Sequence, residues 1–167
     1  MTAAIVFTPF IILLAMAAGW DLATYTIPNF ISGLLLAAFI AFAVFAGLSA
    51  HTLAMHGLSS LLALVIGFAL FSFGFIGGGD AKLFAAAASW FGLHDLLQYT
   101  LLASVFGGAL TLMLLVLRAW PLPRFLASQG WIARLHEAKA GIPYGVALAA
   151  GALVVLPYTD VFHHVLG

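Results

Sequence analysis

The segment Leu61-Leu62-Ala63-Leu64-Val65-Ile66 sits inside a run, residues 22–79, that carries no charged side chain, and its reading decides the fold class. A membrane-spanning strand would alternate apolar and polar residues. This segment does not alternate, and neither does Leu34-Leu35-Leu36-Ala37-Ala38-Phe39 upstream in the same run. Such sequences suit α-helices, which satisfy their own backbone hydrogen bonds while their side chains meet lipid. The whole chain agrees. Hydrophobic residues make up 65% and charged residues 6%, against roughly 25% charged in an ordinary globular domain, and the mean hydropathy is +1.22. The expected fold is all-α: a polytopic membrane helix bundle, one integral membrane domain over residues 1–167, with the lipid bilayer as its main surroundings.

Composition also removes whole classes of function. Five Lys+Arg and a net charge of zero leave no footprint for nucleic acid. Without cysteine there is no disulfide framework, thiolate metal site or thiol nucleophile.

A crossing needs about 20 apolar residues. The stretches free of charge are 1–20, 22–79, 83–94, 96–117 and 140–159. The second is too long for one crossing and is divided by Gly47, Ser49, His51, His56 and Gly57. The third gains length if its helix starts within 77–82. About six transmembrane helices follow, near 2–20, 28–47, 57–76, 80–94, 96–117 and 142–159. The first lacks a basic leader, and Asp21 stands where a cleavage site would need a small residue, so it reads as a retained helix. With six crossings, Lys82, Arg118, Arg124, Arg134 and Lys139 share one side, which is then cytoplasmic. Both termini fall outside, together with His51, His56, His94, His163, His164, Asp95 and Asp160. The one long loop, 118–141, spaces Leu122, Phe125, Leu126, Ile132 and Leu135 among basic residues. It reads either as two short interfacial pieces along the inner leaflet, broken at Pro121, Pro123 and Gly130, or as a solvated connection. Small residues at close spacing, as in 85–89 and 147–151, predict tight helix packing.

Acidic residues at membrane depth mark function by default. Asp21 ends the first helix and Asp80 opens the fourth on the same side, directly after Gly77-Gly78-Gly79. Two carboxylates brought together in a low-dielectric site share a proton. One can then take a proton from attacking water, while the other polarises a peptide carbonyl and protonates the leaving nitrogen. No metal or cofactor is required. Gly77 and Gly79 would let an extended substrate backbone approach. The alternative is structural: Asp80 as a helix N-cap, Asp21 as a helix stop, and Lys82 as an anchor or as the partner of Asp80. Pro28 and Pro143 suit helix starts, with Asn29 free to bond a helix end or the site. The histidines form no metal-ligand pattern and read as interfacial polar residues.

The segments Asp21-Leu22-Ala23-Thr24-Tyr25-Thr26-Ile27-Pro28-Asn29, Gly77-Gly78-Gly79-Asp80-Ala81-Lys82-Leu83 and Ile142-Pro143-Tyr144-Gly145, in that order, resemble the type IV prepilin peptidases, membrane aspartic proteases of the GxGD kind. The resemblance implies that Asp21 and Asp80 are the catalytic pair. It implies that Gly77 and Gly79 shape the loop of the second aspartate, with Lys82, Pro28 and Asn29 as neighbouring site residues. The implied substrate is a prepilin-like membrane protein whose short leader is removed at the inner face of the bacterial cytoplasmic membrane, alongside pilus assembly machinery. Two departures matter. The basic residues such proteins often carry between the first aspartate and IPN are replaced by Ala23, Thr24, Tyr25 and Thr26. The cysteine-bearing region associated with N-terminal methylation is missing, so the chain is similar to the short Tad/Flp pilus peptidases. Other readings of the same residues are a GxGD protease of another membrane substrate, a small ion-coupled transporter or channel subunit using Asp21 and Asp80, and a noncatalytic scaffold.

Overall fold

A computed structural model of the chain describes residues 2–166, with only the backbone described for residues 2–5, 164 and 166. All regular structure among them is helical: α1 (Thr2–Thr24), α2 (Asn29–Phe45), α3 (Ala50–Ser72), α4 (Gly78–Ala88), α5 (Gly92–Arg118), α6 (Arg124–Ala127), α7 (Gly130–His136), α8 (Tyr144–Val155), a 3₁₀ turn (Leu156–Tyr158) and α9 (Asp160–Leu166). Three helices are long and apolar enough to cross a membrane, through Val6–Thr24, Ala50–Ser72 and Gly92–Arg118. Asn29–Phe45 and Tyr144–Tyr158 are shorter apolar stretches. Ile40, Val44, Phe68, Leu97, Val105, Leu112 and Val116 all stand exposed on the outside. A surface this apolar belongs to a helix bundle in lipid.

The innermost helix is α4. Every residue from Asp80 to Ala88 except Lys82 is buried, packed against α3, α2 and α8. Its alanines let neighbouring backbones approach. A Cβ on Gly67 of α3 would come within 3.0 Å of the Ala81 Cα. The α5–α8 seam is as close, because a Cβ on Gly151 would lie 2.8 Å from the Ala103 nitrogen. Without a hydrophobic drive between helices in lipid, such close contact supplies the packing energy. At the end of the bundle away from Asp80, Phe7, Phe10, Phe39, Phe42 and Phe91 surround Trp90 and Tyr99. Phe10 and Trp90 pack as a tilted pair with centroids 4.8 Å apart, and the Trp90 indole N–H donates to the Leu35 carbonyl at 3.1 Å.

Helix α4 has 11 residues and stops inside the bundle, which leaves carbonyls to satisfy away from water. Helix α3 supplies the donors. The Ser60 hydroxyl donates to the Ala85 carbonyl at 2.9 Å, Ser59 to Ala88 at 3.0 Å, and His56 Nδ1 to Ser89 at 2.7 Å.

Several expected boundaries move. The fourth and fifth helices meet at residues 89–91 rather than near 95, because Gly92 takes φ +66 and the polar groups of α3 hold the end of α4. Asp95, expected on the outer side, is buried in the first turn of α5 and paired with His94 at 3.0 Å. The polar turn expected across 47–57 contracts to residues 46–49. Gly47 (φ +64) makes the bend, and Ser49 caps α3 by accepting from the Thr52 N–H. His56 is therefore a buried helix-end donor, not an interfacial residue. Helix α1 runs one turn past residue 20, so Asp21 lies within it. The last expected helix stops early at Pro157 in the 3₁₀ turn and is followed by α9, which the sequence reading did not anticipate. The 118–141 segment does form two short pieces, α6 and α7.

Candidate active site

Asp21 and Asp80 come together, 4% and 6% exposed. Both line a cavity of about 460 Å³ with Tyr25, Gly77, Arg134, Glu137, Lys139 and Gly141. Both also line a second of about 280 Å³ with Tyr25–Ile27 and Gly77–Gly79. The two carboxyl groups are near enough to repel each other.

Each carboxyl group is held through one oxygen by a backbone N–H. Gly77 is the N-cap of α4, so Asp80 is the third residue of the helix, not its cap. Asp80 Oδ2 accepts from the Gly77 N–H at 2.9 Å, half of a capping box. Asp80 Oδ1 is buried without a well-formed hydrogen bond, as is Asp95 Oδ2 in α5, and the Gly145 N–H lies close to Asp80 as well as to Asp21. Asp21 Oδ2 accepts from the Gly145 N–H at 2.7 Å. The Tyr144 N–H bonds the Ile142 carbonyl at 2.9 Å across Pro143 at φ −75, ψ 81. That is an inverse γ-turn, and it leads into α8 with the Gly145 N–H directed at Asp21. Pro143 thus contributes more than a helix start.

Ile27 is the wedge that fixes the spacing. A Cβ on Gly79 would lie 3.1 Å from the Ile27 Cβ, and one on Gly145 would lie 2.8 Å from the Ile27 Cδ1 and 2.9 Å from Asp21 Oδ2. In the direction a side chain would take, Gly79 is packed against Ile27, while Gly77–Gly79 still line the smaller cavity. Upstream, Tyr25 is the one non-glycine residue at positive φ among those described (φ 56). A bulky residue there is strained. The Thr24 hydroxyl steadies the turn through the Trp20 carbonyl and the Thr26 hydroxyl, each 2.8 Å away. The Tyr25 hydroxyl is buried beside the Arg118 guanidinium without a well-formed hydrogen bond, and this burial raises its pKa.

Lys82 does not pair with Asp80. Its ammonium donates to Asn29 Oδ1 at 2.9 Å, tying the start of α2 to α4. Pro28, the N-cap of α2, carries the chain into that contact in extended conformation. Arg118, behind the cavity wall, donates from Nε to the Leu135 carbonyl at 2.8 Å and from Nη2 to the Gly141 carbonyl at 3.0 Å. Among the described residues no group of three or more His, Asp or Glu is arranged to hold a metal ion.

Residues 8–112 match the type IV leader peptidase family. The chain belongs to that family. The matched region contains Asp21, the IPN segment and Gly77–Lys82, whereas the Ile142–Gly145 element lies outside it. No curated protein and no solved structure matches the chain. Family membership makes the chain a peptidase of the leader-peptidase kind. Sequence reasoning quoted Gly145 only as part of a motif and assigned it no contact, and it read Arg118 only as a basic residue of the inner side. The signal for Gly145 was its place after Ile-Pro-Tyr; for Arg118 there was none beyond its charge.

Proposed function

We propose that this chain is a prepilin peptidase of the short, Tad/Flp-like kind, cutting the leader from a pilin-like precursor at the cytoplasmic face of a bacterial inner membrane by a two-aspartate mechanism. The observation that carries the reading is the meeting of two buried carboxyl groups, Asp21 and Asp80, in the wall of one cavity. Two like charges in one buried site are costly, and capping or stopping a helix needs no second carboxyl group beside the first. In a catalytic pair the cavity brings water and substrate to both. The anionic aspartate takes a proton from water as the water oxygen bonds the scissile carbonyl carbon, while the protonated aspartate donates to the carbonyl oxygen. The first aspartate then passes the proton it took to the leaving nitrogen as the C–N bond breaks, and a hydroxyl of the collapsing diol returns its proton to the second. The Gly77 and Gly145 N–H groups hold one oxygen of each carboxyl group still, which is the positioning such a reaction needs.

A groove of about 440 Å³ between α3, α5 and α8 runs from Asp80 along Ala103, Gly107, Gly108 and Ala147. Its apolar walls and small-residue floor suit the membrane helix of a precursor, with the leader in the charged cavity beneath the 118–141 segment.

The test is cleavage of a candidate prepilin by purified protein in liposomes, read as a mass shift. Wild type and Asp160→Asn, altered in a different cavity beside His51 and His94, should cleave. Asp21→Asn and Asp80→Asn should each abolish cleavage at near-normal membrane yield. Substantial cleavage by either inner variant would sink the two-aspartate assignment.

A further inference from the structure

We infer that Arg118 is a positioning residue for Asp21, acting through the backbone of residues 141–145; this rests on the peptidase reading above. Arg118 is the last residue of α5 and is half-buried. Its guanidinium spans two carbonyls that lie apart in the chain, Leu135 at the end of α7 and Gly141 just before the inverse γ-turn. From Gly141 the chain has one short turn before the Gly145 N–H reaches Asp21 Oδ2 at 2.7 Å. The clearance there is small. A single added methyl at Gly145 would meet both Asp21 and Ile27. A shift of Gly141 is therefore transmitted to the carboxylate, because the γ-turn at Pro143 has little freedom to absorb it.

The same guanidinium lies beside the buried Tyr25 hydroxyl on the strained turn that leaves α1. Arg134 reaches this turn too, donating to the Ala23 carbonyl over a long 3.4 Å. Between Asp21 and Ile27 the chain carries no basic residue of its own. Arg118 and Arg134 supply positive charge to that turn from outside it. Arg118 thus joins three pieces of the site: the turn after Asp21, the 130–136 helix over the cavity, and the segment that grips Asp21. Its planar, two-pronged donor geometry fits this task, and lysine cannot reproduce it.

The experiment compares wild type, Arg118→Lys, Arg118→Gln and Asp21→Asn in liposomes. It measures prepilin cleavage kinetics across pH together with amide hydrogen exchange of peptides covering 141–147 and 50–72. Arg118→Gln should lower kcat about 10- to 100-fold, the effect of a small misplacement of a reacting group. KM should stay within about twofold, and the pH–rate profile should be displaced. Exchange over 141–147 should quicken while 50–72 stays as in wild type. Arg118→Lys should fall between the two and, keeping the charge, provides the measurement if Arg118→Gln fails to insert. Unchanged kcat in both Arg118 variants overturns the proposal. So does faster exchange spread equally over 50–72, or a loss confined to KM. If wild type and Asp21→Asn do not differ in cleavage, the peptidase reading fails instead, and exchange over 141–147 alone decides whether Arg118 holds the segment.

Discussion

The Gly145 N–H and the Asp21 carboxylate, 124 positions apart in the chain, meet at 2.7 Å and join the first helix to the last long stretch of the protein. Nothing larger than glycine fits there. The Cβ of any other residue would sit 2.9 Å from the carboxylate oxygen it must serve.

Gly145→Ala is accordingly expected to displace either Ile27 or Asp21, both of them buried. Cleavage should fall at least about 100-fold while the protein still accumulates in the membrane. Near-wild-type cleavage by Gly145→Ala would show that this contact does not order the site.

Lys82→Met separates two roles for the lysine. As the partner of Asn29 it makes one exposed polar contact, worth little, and the variant should keep more than about a tenth of wild-type cleavage. As an obligatory partner of Asp80 its loss would match Asp80→Asn. Initial rates on one prepilin distinguish the two.

Stability should depend on α3 more than activity does. His56→Ala leaves the Ser89 carbonyl at the end of α4 without this donor, at about 1–3 kcal/mol, whereas Ser59→Ala removes one of two donors to the Ala88 carbonyl, the Phe91 N–H remaining at 3.2 Å, and should cost about 1 kcal/mol. His56→Ala should be the worse of the two, since the ring also stacks on Phe39 with centroids 5.1 Å apart. Thermal unfolding in detergent reads this as a lower midpoint, with turnover per folded molecule unchanged.

Orientation is testable because the chain has no cysteine. Single cysteines at His51, His94 and Ser128, all exposed, should react with an impermeant reagent from outside, outside and inside respectively. Reaction of the Ser128 position from outside would reverse the proposed topology.

With a matched prepilin and a methyl donor, the purified protein should cleave without methylating the new N-terminus. Stoichiometric methylation by this chain alone would contradict the short-peptidase reading.

The helical class and the placing of Asp21 and Asp80 at one end of the bundle were legible because both rest on local facts, unbroken apolar runs and two acids at helix ends on the same side; how close the two carboxyl groups come was not, because it depends on α2 and α8 packing between their helices. Boundaries were less so. His51, His56 and Gly57 look like a turn in isolation, yet they lie within α3, because His56 has a buried carbonyl on α4 to serve. The roles of Gly79 and Gly145 were hidden for a related reason. Each glycine is shaped by Ile27, a residue whose type says nothing about where it will pack. Hydropathy reports what a segment prefers; it does not report which distant atom will occupy the space beside it.

The shortness of α4 bears on how the protein is made. At about 1.5 Å per residue its 11 residues extend roughly 16 Å, half of a hydrocarbon core of about 30 Å. Asp80 and Lys82 stand in its first two turns, and charged residues disfavour transfer into lipid, by about 3 kcal/mol at a helix centre and less near its ends. A segment this short does not span the core alone. Helix α3, its most extensive packing partner, brings Ser59, Ser60 and His56 to the carbonyls at its end, across a link bent at Gly74 (φ +76). The α3–α4 hairpin is therefore the smallest piece of the chain that covers the end of α4, and the second aspartate owes its depth to the helix before it.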